Sequence, residues 1–186
     1  MEIIKQALLV IDVQNEYFSG KLPVTYPPGS LANIAAAIDA ANLHGIPVIV
    51  IQHTAARPDS PTFVKGSVGW QLHPEIAKRK YSILLQKSLP SSFAGTGLKT
   101  WLKEQAITTL VISGYMTQMC CDTTSREAFH RGYTVKFLSD ATGTLDYRND
   151  AGAVTAECLH KTILVVQQSR FSTVMTTAAW LQSLLQ

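Results

Sequence analysis

Short apolar segments alternate along the chain with longer segments whose apolar positions recur at helical spacing. Several of the short segments are nearly continuous runs of Val, Ile and Leu, which are typical of strands buried on both faces of a sheet. The predicted strands are residues 7–12, 47–52, 82–87, 109–114, 134–140 and 162–167. The predicted helices are residues 31–44, with Ser30 as the expected cap, 97–105, 120–131, 149–161 and 172–185. This alternation predicts an α/β fold in which a parallel sheet carries helices on both faces.

The pattern contains no linker, internal repeat or low-complexity tract, so we expect a single domain over residues 1–186. The longest irregular stretch is residues 54–80, which contain "ARPDSP" and two glycines. A loop of this length inside a compact domain is often a lid or a binding loop.

Composition excludes several functional classes. The chain is 46% hydrophobic and 16% charged, as in ordinary globular proteins, and its net charge is only +3. The densest basic cluster, "AKRK" at residues 77–80, is too short to indicate a nucleic-acid surface. No apolar run approaches the roughly 20 residues of a membrane span, and Asp12 interrupts the first apolar segment too early for a secretory signal. We therefore expect no nucleic-acid or membrane partner.

The three cysteines do not form a disulfide framework. Cys120 and Cys121 are adjacent, where an ordinary disulfide is disfavoured by geometry, and no Cys-x-x-Cys pair is present. Free thiols fit a reducing compartment, so a cytoplasmic location is the expectation.

Chemically useful residues stand where the predicted strands end. Asp12 ends the first strand, Lys87 ends the third, and the fourth leads into "GYMTQMCC", which contains Cys120. Ligands of an open parallel sheet bind beyond the carboxyl ends of its strands, so these three side chains are expected at one edge. Each charged residue alone has a simpler interpretation, because chains often leave a core through a charged residue. The combination with a cysteine favours a catalytic site.

Helical spacing predicts different roles for the two neighbouring cysteines. Cys121 belongs to a stripe of small residues with Thr124, Ser125 and Ala128, which indicates packing against the sheet. Cys120 lies off that stripe in the predicted first helical turn, where free N–H groups and the helix dipole favour a negative charge. A lowered thiol pKa is therefore predicted for Cys120.

These three groups would permit nucleophilic acyl transfer. Asp12 would accept the thiol proton and later activate water, and Lys87 would hold the carboxylate and stabilise the thiolate. Cys120 would attack a carbonyl to give a thioester, with its own N–H near the oxyanion.

Three separated motifs now show a family resemblance. The segments "LLVIDVQNEYF", "KSLPSSFAGTGL" and "VISGYMTQMCCDTTSREAFHRGY" together resemble the isochorismatase-like superfamily of cysteine hydrolases, in the same order and over essentially the whole chain. The chain departs from the family motifs at a few positions. Glu16 and Tyr17 replace an Asp and a Phe, Ser92 replaces an Ala, and Cys121 replaces a Val.

The resemblance implies a three-layer α-β-α architecture with a Rossmann-like, six-stranded parallel sheet. By motif position it implies a catalytic set of Cys120, Asp12 and Lys87. It also implies a cis peptide bond between Tyr115 and Met116 that aims the N–H of Met116 at the oxyanion beside that of Cys120. The resemblance further implies a homo-oligomer, in which loops of a neighbouring subunit could close the site.

Metal-dependent nicotinamidases of this superfamily carry an Asp and paired histidines after the second strand. Here Ile51 occupies the position of that Asp, so His53 is a poor metal ligand even with His73 further along. We expect no metal and no cofactor. Because the cysteine is retained, the expected reaction is hydrolysis of a small amide, imide or ureido C–N bond.

Two alternatives stay open. One is an isochorismatase-type vinyl ether hydrolase in which Asp12 is the acid, and the other is a non-catalytic small-molecule-binding or scaffold protein on this fold. Aromatic walls with few polar groups would suit a small, flat amide, although each candidate lining residue could equally belong to the core. The residues expected to contact a small-molecule substrate are Gln14, Tyr17, His53, Trp70, Phe93, Tyr115 and Met119.

Overall fold

The computed structural model describes residues 5–57 and 59–185. Its strands are β1 (Gln6–Ile11), β2 (Val48–His53), β3 (Ile83–Lys87), β4 (Thr109–Tyr115), β5 (Thr134–Gly143), β6 (Tyr147–Asn149), β7 (Gly152–Val154) and β8 (Thr173–Met175). Six of them form a parallel sheet in the order β3-β2-β1-β4-β5-β8, and β6 and β7 form a separate antiparallel hairpin. The predicted six-stranded parallel sheet is therefore confirmed.

Helices cover both faces of the sheet because its strand residues alternate between two apolar clusters. The helices are α1 (Ser30–Leu43), α2 (Pro74–Ala77), α3 (Leu98–Glu104), α4 (Asp122–His130), α5 (Ala156–Val166) and α6 (Thr177–Ser183). Leu8 of β1 belongs to the cluster that contains residues of α1, α2 and α6. Leu9, the next residue, belongs to the cluster with residues of α3 and α4. This is the predicted three-layer arrangement, and no helix within the described residues is long and apolar enough to cross a membrane.

The prediction of a strand over residues 162–167 is wrong. Residues 162–166 belong to α5, whose side chains are partly exposed, and Thr155 caps this helix by accepting a hydrogen bond from the N–H of Cys158. The sixth strand of the sheet is instead β8, which pairs with β5 from Lys136 to Leu138. Consequently the predicted helix over 172–185 is a strand followed by α6, and the first part of the predicted helix over 149–161 belongs to the β6–β7 hairpin.

Ser30 does not cap α1 as expected. Gly29, with φ of 79°, precedes the helix, and Ser30 is its first residue. The Ser30 hydroxyl lies 2.9 Å from the hydroxyl of Tyr115, so it joins α1 to the end of β4.

Gly114 lets β4 approach β1 closely beside the predicted site. It pairs with Ile11 in the parallel ladder and has φ of 112°. A Cβ atom at this position would lie 2.0 Å from the Ile11 carbonyl oxygen. Only glycine therefore allows the ends of these two strands, which lead to Asp12 and Cys120, to lie side by side.

Candidate active site

A buried lysine joins the two other candidate catalytic groups. Lys87 Nζ lies 2.7 Å from Asp12 Oδ2 and 3.2 Å from Cys120 Sγ. The side chains of Asp12 and Lys87 have no exposed surface, whereas Cys120 is 8% exposed. Apart from the Lys87 ammonium and the Cys120 thiol, the Asp12 carboxylate has no hydrogen-bond partner within residues 5–57 and 59–185. It therefore keeps the free acceptor capacity that a general base needs.

Backbone geometry at the strand ends brings these residues together. Asp12 has φ of 52°, in the left-handed region that Asp tolerates better than most residues, and its N–H donates to the Ile51 carbonyl at 2.9 Å. Lys87 is the last residue of β3 and pairs with His53 at the end of β2. Both side chains thus leave the carboxyl edge of the sheet, as the pattern of strand ends predicts.

Cys120 lies in a π-helical turn, Thr117–Cys121, that precedes α4. The Met116 carbonyl accepts hydrogen bonds from the N–H groups of Met119, at 3.1 Å, and Cys121, at 3.2 Å. The N–H of Cys120 lies between these two donors in the chain. The peptide bond between Tyr115 and Met116 is cis, as the resemblance implies. The sequence predicts the first turn of a regular α-helix at Cys120, whereas the structure has a wider π-helical turn there. Such turns are frequent at functional sites.

The resting thiol differs from the sequence prediction. Burial raises the pKa of Cys120, the charge of Asp12 raises it further, and Lys87 only partly opposes them. Burial lowers the pKa of Lys87, but the neighbouring Asp12 and Cys120 outweigh that effect and leave it raised. The predicted lowering of the thiol pKa is therefore wrong, because desolvation of the buried thiol outweighs the effect of the helix terminus and of Lys87. Cys120 rests as a thiol beside an ammonium–carboxylate pair.

His53 is the third group around the lysine. Its Nδ1 lies 3.3 Å from Lys87 Nζ. Burial, then the charge of Lys87, lowers the pKa of His53, so the ring is neutral and Nδ1 can accept from the ammonium. The ring also meets Phe63 edge-on at 5.1 Å. Both residues line a groove of about 260 Å³ that residues 55–57 and 60–62 complete.

The Gln14 side chain binds the backbone of two neighbouring segments. Its Oε1 accepts from the His53 N–H at 2.8 Å, and its Nε2 donates to the carbonyls of His53, at 2.9 Å, and Trp70, at 2.7 Å. The side chain has no exposed surface. These bonds leave Nε2 no further proton to donate, and the contact of Gln14 with substrate stays a prediction. Gln14 positions His53 and the long loop.

The two tyrosines expected at the site have different positions. Tyr17 is 4% exposed. Its ring packs between the rings of Phe63 and Tyr115, with centroid distances of 5.2 Å and 5.5 Å. Burial raises the pKa of Tyr17, with additional contributions from Cys120 and Asp12, so its phenol lies near the catalytic groups. Tyr115 is fully buried and its hydroxyl pairs with Ser30. The Tyr115 side chain thus lies in the core, and its contact with substrate stays a prediction.

The remaining candidate lining residues flank the site. Trp70 is half-buried in the long loop, where its Nε1 donates to Thr54 Oγ1 at 2.8 Å. Phe93 is 5% exposed, stacks on Tyr133 at 6.0 Å and shares an apolar cluster with Cys120. Met119 is 43% exposed directly before Cys120. Met119 is thus the most accessible of the three to a ligand.

The residues near His53 do not fit a metal. Nδ1 of His53 faces the Lys87 ammonium, whose charge would repel a cation. Nδ1 of His73 accepts from the N–H of Glu75 at 3.2 Å, and its ring packs on Phe18 at 4.3 Å. Within the described part of the chain, no three His, Cys, Asp or Glu side chains form a group that could hold a metal ion.

Sequence reasoning missed two residues beside the site. Phe63, in the long loop, packs on both Tyr17 and His53. Tyr147 follows the end of β5, and its hydroxyl lies 3.8 Å from Met116 Sδ. Ligands bind at the carboxyl ends of strands, and this rule also indicates Tyr147. The predicted strand over 134–140 is too short, however, because β5 extends to Gly143.

Comparison with known proteins places this site in a family. The model of the isochorismatase domain matches residues 6–179. The chain belongs to the isochorismatase family. Its members are hydrolases. Asp12, Lys87 and Cys120 all lie within the matched region.

Individual relatives of this isochorismatase-family chain span most of its length. It is 32% identical to the uncharacterized isochorismatase family protein YddQ of Bacillus subtilis (strain 168), covering 95% of this chain and 98% of YddQ. It is 30% identical to the ureidoacrylate amidohydrolase RutB of Methylobacterium radiotolerans, covering 93% of this chain and 77% of RutB. The crystal structure of an isochorismatase homologue from Burkholderia xenovorans LB400 superimposes with a TM-score of 0.95, at 47% identity, covering 98% of this chain and 88% of that one.

Proposed function

We propose that this protein is a metal-independent cysteine hydrolase that cleaves the C–N bond of a small amide, imide or ureide through a thioester on Cys120. The observation that carries the proposal is the position of Lys87 Nζ, within 2.7 Å of Asp12 Oδ2 and 3.2 Å of Cys120 Sγ. This arrangement places a nucleophile, a carboxylate base and a fixed positive charge around one point. The similarity to a ureidoacrylate amidohydrolase supports C–N chemistry.

The first half-reaction acylates the cysteine. Because the Cys120 pKa is raised, the thiol proton passes to Asp12 as sulfur attacks the carbonyl carbon. The carbonyl electrons move to oxygen, where the N–H groups of Met116 and Cys120 are the proposed donors. The C–N bond then breaks, and the leaving nitrogen takes the proton from Asp12. A positioned base contributes roughly 10²–10⁴ in rate, and one oxyanion donor about 10²–10³.

The second half-reaction frees the enzyme. Asp12 removes a proton from water, the resulting hydroxide attacks the thioester, and sulfur leaves and recovers the proton as the acid forms. Lys87 stays protonated throughout, since its pKa is raised, and stabilises the negative sulfur in both steps. His53 accepts from the same ammonium and limits its rotation.

A matched pair of cysteine variants tests the proposal. Wild-type protein is incubated with nicotinamide and with ureidoacrylate, with ammonia release as the measurement, and with isochorismate, with pyruvate release as the measurement. Cys120→Ala is expected to abolish ammonia release, while Cys158→Ala, at an exposed thiol, is expected to retain it. An added mass on wild-type Cys120 during turnover would identify the thioester.

The competing vinyl ether chemistry gives the opposite result. Protonation of isochorismate by Asp12 needs no nucleophile, so pyruvate release that survives in Cys120→Ala would overturn the proposal. Turnover of none of the compounds by a folded wild-type protein, together with no acylated Cys120, would favour a binding protein instead.

A further inference from the structure

One buried acceptor beside the nucleophile has no partner. Oε1 of Gln118 is inaccessible to solvent and makes no hydrogen bond with any other described residue. Gln118 lies in the Thr117–Cys121 turn, two residues before Cys120. Buried polar atoms in folded proteins are nearly always hydrogen-bonded, so an orphan acceptor next to a catalytic group points to a donor on a ligand.

The surroundings of Gln118 connect it to the catalytic cysteine. Its Nε2 lies 4.0 Å from Met116 Sδ, and the Tyr147 hydroxyl lies 3.8 Å from the same sulfur. Burial raises the pKa of Tyr147, a hydrogen bond with the Gln118 amide lowers it, and the charge of Cys120 raises it. A hydrogen bond that lowers the pKa of a phenol is donated to the phenol oxygen, so this one comes from the Gln118 amide nitrogen and leaves Oε1 unpaired. Gln118 and Tyr147 therefore lie against the same Met116 sulfur, and Tyr147 is near enough to Cys120 for the charge of the cysteine to act on it.

We propose that Gln118 is a substrate-binding residue whose Oε1 accepts a hydrogen bond from an N–H of a carboxamide or ureido substrate. This inference rests on the proposed C–N hydrolysis and names the chemical feature that the site selects. Carboxamides and ureides carry N–H donors close to the carbonyl that Cys120 attacks. A carboxylate bound beside Gln118 would place its oxygens against Oε1, and two acceptors repel each other.

The test compares two alkylating reagents of nearly equal size. Iodoacetamide presents a primary carboxamide to the site and iodoacetate presents a carboxylate. Both react with the same thiolate, so the ratio of their rates at Cys120 does not depend on the Cys120 pKa. The exposed Cys158 in the same molecule provides the reference ratio for intrinsic reactivity. Rates are read by peptide mass mapping at pH 8.

Gln118→Met removes the acceptor without changing charge. It is expected to lower the normalised iodoacetamide-to-iodoacetate ratio at Cys120 by about tenfold, the contribution of one good hydrogen bond. Gln118→Glu keeps an acceptor oxygen and is expected not to lower the ratio. Gln182→Met, at an exposed glutamine of α6, is expected to leave the ratio unchanged. Circular dichroism confirms that each variant is folded.

The inference is overturned if Gln118→Met leaves the ratio within twofold of wild type, or if neither reagent modifies Cys120. It can fail separately from the proposed function. If the protein releases ammonia from an amide but Gln118→Met does not change the iodoacetamide-to-iodoacetate ratio, the proposed function stands and this inference is wrong. If the protein hydrolyses no amide but the iodoacetamide-to-iodoacetate ratio falls in Gln118→Met, the proposed function is wrong while the role of Gln118 as an acceptor stands.

Discussion

Lys87 Nζ lies 2.7 Å from Asp12 Oδ2, and neither side chain has any exposed surface. Removal of one partner leaves a buried charge without its counterion. We therefore expect Lys87→Met or Asp12→Asn alone to lower the free energy of unfolding by about 3–5 kcal/mol. Urea unfolding of each variant at pH 7.5 measures this loss.

The double variant separates stability from chemistry. Asp12→Asn with Lys87→Met removes both charges, so most of the lost stability is expected to return while hydrolysis stays absent. Stability losses that simply add in the double variant would show that the two charges are not coupled.

The protonated resting state of Cys120 gives a second prediction. Because the Asp12 charge raises the Cys120 pKa, Asp12→Asn is expected to speed iodoacetamide labelling of Cys120 at pH 7.5, and Lys87→Met is expected to slow it. Each unit of pKa change alters the thiolate fraction about tenfold. Mass mapping follows the rate, with Cys158 as the internal reference. Slower labelling in Asp12→Asn would instead indicate that Asp12 deprotonates the thiol in the resting enzyme.

The sequence predicts those parts of the fold that are buried on both faces. Every residue of β4 is buried, and its run of apolar residues indicates a central strand. By contrast, β8 has three partly exposed residues at the edge of the sheet and carries no such run. The apolar residues at the end of α5 resemble a strand over a short window, so the prediction assigned the sixth strand there.

At the site, the sequence predicts which residues converge but not their surroundings. Asp12 and Lys87 follow from strand ends, and the choice between Cys120 and Cys121 follows from helical spacing. The raised pKa of Cys120 depends on burial by residues distant in the chain, which no local pattern contains. The orientation of Tyr115, by contrast, can be predicted from the alternation of side chains along a strand. Val111 and Tyr115 lie on the same side of β4, and both belong to the cluster that includes α1.

His160 provides a prediction of pH dependence. It is 2% exposed, and its ring nitrogens lie 2.8 Å from Thr117 Oγ1 and 2.9 Å from the Ser139 carbonyl. Burial lowers the pKa of His160; the Ser139 carbonyl opposes this effect and Lys161 adds to it. Below the ordinary value of 6.5, the unfolded chain thus binds a proton that the folded protein does not. Stability is therefore full above pH 6.5 and is lost as the pH falls through the lowered pKa.

Urea unfolding between pH 8 and pH 5.5 measures this loss, which is at most about 1.4 kcal/mol per pH unit for one histidine. His53 and His73, whose pKa values are also lowered, add to the same slope. His160→Gln is expected to reduce the slope, whereas His44→Gln, at an exposed position, is expected to leave it unchanged. An unchanged slope in His160→Gln would contradict the assignment of a neutral buried ring.

Gln14 is expected to stabilise the long loop beside the site. Its amide makes three hydrogen bonds to the backbone of His53 and Trp70. Gln14→Leu keeps similar volume but removes this partner from the partly buried N–H and carbonyl of His53, at about 1–3 kcal/mol for each group left unpaired. The Trp70 carbonyl keeps the hydrogen bond that Gln52 Nε2 donates to it at 3.0 Å. We expect a clear loss of stability in urea, and faster tryptic cleavage at Lys65 in the loop under native conditions.

Asn15→Ala is the matched control, because Asn15 Nδ2 donates to the Val68 carbonyl in the same loop at 3.1 Å but in an exposed setting. Water can replace that bond, so the change in stability is expected to stay within about 0.5 kcal/mol. If Gln14→Leu behaves like Asn15→Ala in both measurements, the loop is held by its packing on Phe63 and Trp70 and not by Gln14. A reduced rate of hydrolysis in Gln14→Leu without a change in stability would place Gln14 in contact with substrate after all.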